Sequence, residues 1–230
     1  MKLQDLKIVF ICPDHNERYH KRKLHMENML SRIGCKNINH YKSGTEKFPI
    51  CISNSIINIL SENIDTPVLI LEDDVILKGI DTFECDDSVD AVYLGLGKWS
   101  GHPTENRNDD CILKVEPYSM TQVKIKNMLS GHAVYYKSRK YKESVISILK
   151  SNIDSGIAWE TDVLISRVQP NFTILANMKP LFYQSAVLNK GHNNNAERLT
   201  NFQIGYIIGF GQGAPPENEL IEDGSESKVL

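Results

Sequence analysis

No stretch of this 230-residue chain is apolar enough to cross a bilayer, which takes about 20 consecutive apolar residues. Its first residues, Met1-Lys2-Leu3-Gln4-Asp5, are too polar and acidic for a signal peptide. The expectation is a soluble protein of the cytoplasm, the host's cytoplasm if the chain is viral. There is no C-x-x-C pair: Cys12, Cys35, Cys51, Cys85 and Cys111 are an odd set with no companion histidine spacing, which predicts free thiols in a reducing compartment. There is little charge imbalance, 26 Lys plus Arg against 29 Asp plus Glu, so nothing in the overall balance demands a nucleic-acid partner. Internal repeats, heptads and a Gly-rich phosphate loop are all missing. No composition break divides residues 1–210, which read as a single domain, and 211–230 form a Gly-, Pro- and Glu-rich tail expected to be loosely docked.

What is present is an acidic strand end. Val68-Leu69-Ile70-Leu71 runs directly into Glu72-Asp73-Asp74 and back into Val75. A short apolar run of this kind is a buried strand, and the carboxylates that close it need water or a cation. Two like charges about 4 Å apart repel by roughly 4 kcal/mol at an effective dielectric of about 20. A divalent cation reverses that sign, whereas a solvated acidic turn is the plainer alternative. Strand alternation would point Glu72 and Asp74 one way and Asp73 the other.

Around this strand the pattern alternates. Lys7–Cys12 reads as a first strand, followed by the turn Pro13–Asn16 and a helix over 17–33 with an apolar stripe of Leu24, Met26, Met29, Leu30 and Ile33. A strand at 37–41 and a helix at 51–63 come before the acidic strand. Further strands are expected at 90–95, 111–115, 132–136, 172–176 and 181–183, with helices at 141–149 and from about 159 to 166. The long polar stretch 97–110, with Trp99 and His102, is expected to be a functional or mobile loop. Strands alternating with helices predict an α/β fold with a mostly parallel central sheet covered on both faces. Ligands in such sheets bind beyond the C-terminal strand ends, which gathers Pro13, the Glu72 cluster and the end of the 90–95 strand on one rim.

The order of these motifs resembles glycosyltransferase family 25, the lipooligosaccharide and collagen galactosyltransferase group. The resemblance lies in an Arg-bearing first helix (Arg18), Ile70-Leu71-Glu72-Asp73-Asp74-Val75, Gly131-His132-Ala133-Val134-Tyr135 leading into Lys137-Ser138-Arg139, and Met178-Lys179-Pro180-Leu181-Phe182-Tyr183-Gln184-Ser185. It spans roughly residues 7–190. Two departures stand out: Ser53-Asn54 where the family usually has Ser-His, and Cys12-Pro13 where Asn-Leu is common. The resemblance implies a GT-A, Rossmann-like fold, a nucleotide-diphosphate sugar donor with UDP as the expected nucleotide, and Mn2+ or Mg2+ at the acidic motif.

The chemistry of a departing diphosphate agrees, because a hard cation held by one or two carboxylates stabilises it. Asp74 is the first candidate ligand, with Glu72 or Asp73 holding the metal through water or touching the ribose. By analogy with GT-A enzymes, His192 is a third metal candidate. Pro13 at the strand edge and Arg18 at the opening of the first helix are candidates for the nucleotide, where cation and backbone N–H groups meet phosphate. An inverting transfer needs a base for the acceptor hydroxyl. Asp162, then Glu160, are the candidates at the start of a late helix, where acids also serve as ordinary caps. His132 reads as a structural histidine. The acceptor is a hydroxyl-bearing glycan or, using the basic series Arg18, Lys21, Arg22, Lys23 and His25, phage-type DNA carrying hydroxymethylated bases. Non-enzymatic alternatives are a degenerate transferase fold that binds nucleotide without turnover, and a receiver-like Mg2+ module.

Overall fold

The computed structural model describes residues 1–96, 113–129, 131–185 and 187–188; Trp99, His102, Cys111, His192 and the tail 211–230 lie outside these. The first half follows the expected alternation: β1 (Lys7–Ile11), α1 (Glu17–Arg32), β2 (Asn37–Tyr41), α2 (Ile50–Glu62) and β3 (Val68–Glu72). Then come β4 (Val75–Leu77), β5 (Ala91–Tyr93), β6 (Lys114–Pro117), β7 (Gln122–Lys126), β8 (Ala133–Tyr136), α3 (Arg139–Asp154), α4 (Thr161–Val168), β9 (Ile174–Asn177) and β10 (Phe182–Gln184).

Eight strands form one sheet in the order β2-β1-β3-β8-β5-β9-β7-β6. β1 pairs in parallel with β2 and β3, and β5 with β9. β8 is antiparallel to both its neighbours, and β7 to both of its own. Six strands therefore run one way and only β8 and β7 oppose them, the mostly parallel α/β sheet that the sequence predicts. β4 and β10 form a separate antiparallel pair.

Alternating residues of each strand enter two different cores, as the pleat requires. On one face Val9, Ile11, Val68, Ile70, Val134 and Tyr136 pack against Ile56 and Leu60 of α2, Val145 and Leu149 of α3, and Leu164 and Ile165 of α4. On the other face Ile8, Phe10, Leu69, Leu71, Val92 and Tyr135 meet Met26 and Leu30 of α1 and Phe182 of β10. Each such aliphatic side chain stabilises the fold by roughly 1.5–3 kcal/mol on full burial.

Local chemistry explains the helix boundaries. Asn16 caps α1, its side chain accepting from the Tyr19 N–H at 3.1 Å. Past its end, Gly34 takes a positive φ of 80°. α3 begins two residues before the expected position because Ser138 accepts from the Tyr141 N–H at 3.2 Å. Leu24, assigned by its spacing to the apolar stripe of α1, is instead 55% exposed, and Arg22 occupies the buried stripe with Met26 and Leu30. A buried Lys142 on α3 donates to the carbonyls of Asn63 at 2.7 Å and Thr66 at 2.6 Å. That contact fixes the turn from α2 into β3 and so sets where the acidic strand starts.

Candidate active site

β3 ends at Glu72, and Asp73 and Asp74 form the turn into β4. Alternation holds only while backbone is extended, so the turn decides which acids converge. All three line one cavity of about 400 Å³, inside the roughly 300–1,000 Å³ range of small-molecule sites. The cavity sits beyond the C-terminal ends of β1 and β3. β8 enters the sheet from that same rim, which brings Gly131 to the wall, with the Glu72 N–H donating to the His132 carbonyl at 2.9 Å.

The cavity has two chemically different walls. Glu72, Asp73, Asp74, Asp162 and Glu160 supply the acids, and Phe48, Ile52, Ile56 and Ile165 supply an apolar surface from the start of α2 and from α4. Among the described residues lining it, Arg22 is the only cation. Its Nη1 donates to Asp73 Oδ1 at 2.7 Å and its Nη2 to the Leu188 carbonyl at 2.9 Å, and Asp74 Oδ2 stands 3.8 Å from Nη2. One guanidinium thus faces several carboxylates. Burial, then the charges of Asp74, Asp73 and Asp162, push the Glu72 carboxyl up to about 8, against a smaller opposing effect of Gln184, whose amide donates to Glu72 Oε2 at 3.1 Å.

His132 is buried behind the acids. Burial lowers its pKa to about 4, opposed by the Asp74 charge and by a hydrogen bond to the Phe182 backbone, so the ring is neutral at physiological pH. A Cβ on Gly95 would stand 2.2 Å from His132 Nε2, so only glycine fits there. This is the packed, structural placement expected for that histidine.

The structure brings Pro13, Glu72, Asp73, Asp74, Glu160 and Asp162 into the one cavity. Asp162 Oδ1 accepts from the Val163 N–H at 2.8 Å, so this first-turn acid satisfies a free helix N–H of α4 while lining the site; Glu160 at the N-cap makes no such bond. Arg18 is not part of the lining. It is exposed, with Nη2 3.4 Å from the Leu188 carbonyl, and Arg22 one turn later takes the inner position. His192 lies outside the described residues. The rest of the basic series on α1 is engaged locally: Lys21 with Glu17, Lys23 with Glu27, and His25 Nε2 against the Val75 carbonyl. Arg22, Tyr19, Phe48 and Gln184 are lining residues to which the sequence reading gave no individual site role. For Arg22 the signal was present, a charge in register with the buried Met26 and Leu30.

Ser53 and Asn54, the departure from the family pattern, work as a clamp. Ser53 Oγ bonds Thr161 Oγ1 at 2.8 Å in the buried seam between α2 and α4, and Asn54 Nδ2 donates to Glu46 Oε1 at 3.1 Å.

Oxygen donors suit a hard cation. Among the described residues no group of three or more His, Cys, Asp or Glu is gathered to hold a metal. Mg2+-type sites, however, use one or two carboxylates and leave the remaining positions to water and substrate phosphates. With Asp73 committed to Arg22, Glu72 and Asp74 fit that description. No helix among the described residues is long and apolar enough to cross a membrane, and Cys12, Cys35, Cys51 and Cys85 are free.

No family model and no curated protein matches the chain, so the family 25 resemblance rests on its motifs. Among solved structures, a glycosyltransferase involved in glycosylation of the major capsid of PBCV-1 is similar at 13% identity and TM-score 0.44, over 74% of this chain and 80% of that one. An apo UDP-glucose pyrophosphorylase is similar at 11% identity and TM-score 0.45, over 79% and 77%. A nucleoside-diphosphate-sugar pyrophosphorylase from Vibrio cholerae RC9 follows at 10% identity and TM-score 0.42, over 76% and 75%. At such values none of them bears on what this chain does, and the functional reading rests on the cavity.

Proposed function

We propose that the chain is a metal-dependent glycosyltransferase of GT-A type that moves a sugar from a nucleotide-diphosphate sugar, with UDP the expected nucleotide, to a hydroxyl acceptor. The observation that supports this most directly is the gathering of Glu72, Asp74 and Asp162 in a cavity with one arginine among its described lining residues, where burial first and then the neighbouring charges push the Glu72 carboxyl up to about 8. Such a cluster is costly to the empty fold and suits a cation brought in with an anionic ligand. Glu72 and Asp74 would hold Mn2+ or Mg2+, which when bound stabilises charge developing on a departing diphosphate.

The chain's own groups have separable tasks. Arg22, fixed on one side by Asp73 and on the other by the Leu188 carbonyl, presents a guanidinium to phosphate oxygens. Asp162 takes the proton from the attacking acceptor hydroxyl, with the oxygen bonded to Val163 fixing its orientation. Glu160, exposed at the same helix start, is the second candidate for that task.

Nucleotidyl transfer, in which a sugar 1-phosphate meets a nucleoside triphosphate, gathers more phosphate charge in one place and calls for several fixed cations; among the described residues this cavity offers one. A DNA acceptor would meet fewer α1 cations than the sequence offers, because Arg22 is buried against Asp73, while Arg18 is exposed and Lys21 and Lys23 sit in weak surface pairs. The test is thermal shift and turnover over UDP-glucose, UDP-galactose, UDP-N-acetylglucosamine and GDP-mannose, with and without Mn2+. One donor should raise Tm only with metal present, because a ligand at 100 times its Kd adds about 2.7 kcal/mol of stability. Undiminished turnover in excess chelator would overturn the metal assignment, and synthesis of nucleotide sugar from UTP and a sugar 1-phosphate would overturn the transferase reading.

A further inference from the structure

Phe48 has features that catalysis at the acidic wall leaves unexplained. It lines the cavity, yet its surface is 62% exposed, so the ring stands at the mouth. An aromatic side chain left in water forgoes much of the 150–250 Å² it could bury. The segment before it touches α2: Glu46 Oε1, two residues earlier, accepts from Asn54 Nδ2 at 3.1 Å. α2 is joined to the start of α4 through Ser53 and Thr161 at 2.8 Å. The ring and the carboxylates of Glu160 and Asp162 therefore belong to one connected wall, while Tyr19 and Arg22 line the cavity from α1.

From this juxtaposition we propose that Phe48 is the stacking platform for a neutral pyranose ring of the acceptor, resting on the transferase reading above. A pyranose has an apolar C–H face that covers an aromatic ring and a rim of hydroxyl donors, and ionised carboxylates are pure acceptors for those donors. Seated on Phe48, such a ring turns a hydroxyl toward Asp162. The acidic lining repels a phosphate-rich acceptor and leaves a neutral one unaffected.

Binding can be read without turnover. Saturation-transfer NMR with methyl β-D-galactopyranoside, methyl β-D-glucopyranoside and lactose, protein in the presence of UDP and diamagnetic Mg2+, should show saturation strongest on the ring C–H protons of one face. Phe48→Ala should remove that signal, and Phe48→Trp should keep it. Exposure of the ring means that Phe48→Ala folds, which an unchanged Tm verifies. If turnover is found, Phe48→Ala should raise the KM of the sugar acceptor about tenfold and the KM of the donor less than twofold. Saturation in wild type with no turnover would sink the transferase reading and leave the platform standing. No saturation with any of the three sugars, an equal signal in Phe48→Ala, a rise in donor KM alone, or preferential binding of a hydroxymethylcytosine oligonucleotide that depends on Phe48 would each overturn the platform.

Discussion

The chain contains two acidic runs of nearly the same composition, Glu72-Asp73-Asp74 and Glu84-Cys85-Asp86-Asp87, and the fold treats them in opposite ways. At the second run the acids are partnered at the surface. Asp86 Oδ1 accepts from the Ser88 N–H at 2.8 Å and the Ser88 hydroxyl at 2.6 Å, and its Oδ2 accepts from the Tyr118 hydroxyl. The Ser119 hydroxyl donates to Glu84, and Lys137 reaches Asp87 at 3.4 Å. Those hydrogen bonds, from Ser88 first and then Tyr118, hold the Asp86 carboxyl below its usual range. At the first run burial and mutual repulsion push Glu72 the other way. A run of acids is thus a structural turn where local donors satisfy it and a candidate site where the fold crowds it around a cavity.

The comparison breaks most sharply in activity. Asp74→Asn should lower sugar transfer by roughly 10³-fold, the order lost with one preorganised electrostatic group, while Tm holds or rises. Loss of activity together with loss of the folded baseline in circular dichroism would return Asp74 to a structural role.

Stability separates the runs next. Arg22 and Asp73 are a buried pair, with side chains 7% and 10% exposed. Arg22→Met leaves Asp73 buried without its cation and should cost about 3–5 kcal/mol in urea unfolding. Arg22→Met with Asp73→Leu should recover most of that, because the uncompensated charge is gone. A single-mutant cost under about 1 kcal/mol would mean that the pair is solvated in the working protein.

A third buried charge tests the same reasoning through pH. Burial pushes the Lys142 ammonium down to about 8 from its usual 10.5, even though backbone carbonyls of Asn63 and Thr66 accept from it. A folded-state pKa below the unfolded one means that the unfolded chain binds more protons between about pH 8 and 10.5, so this residue's contribution to stability rises with pH across that window. The stability of the native protein relative to Lys142→Met should grow by about 1–2 kcal/mol from pH 7.5 to 9.5. A flat difference would show that the carbonyls fully compensate the burial.

Much of this architecture is legible in the residues. β3 announces itself because four consecutive apolar residues serve two cores, and the acids mark where it leaves them. β4 is not legible as a separate strand, since Val75–Leu77 continues an apolar stretch and only the turn at Asp73–Asp74 sends it to pair with β10. β7 carries a period-two pattern, Val123 and Ile125 inward between Lys124 and Lys126, that went unassigned beside the polar segment before it. Within the site, local sequence supplied the acids. The register with Met26 and Leu30 marks this face of α1 but could not choose Arg22 over Arg18, because the two lie one turn apart on that same face and the choice depends on how far along the helix the cavity reaches. The place of Phe48 in the lining is not legible either, because it depends on how the segment before α2 meets the cavity, which no neighbouring residue encodes.

The smallest expected effect is one of sign. Above about pH 8, where the Glu72 carboxyl is ionised, Glu72→Gln removes one charge from the crowded rim and keeps an oxygen able to accept from Gln184, so without ligand it should raise Tm at pH 9 and change it little at pH 7. Asp86→Asn removes a carboxylate that accepts three hydrogen bonds at the surface, so it should lower Tm slightly and leave transfer unchanged. Added salt should narrow both differences, and more so at the exposed Asp86 than at the buried rim. Two conservative acid-to-amide changes would then move stability in opposite directions. If both lower Tm, the rim acids are satisfied in the resting fold, and the case for a cation between Glu72 and Asp74 loses its physical basis.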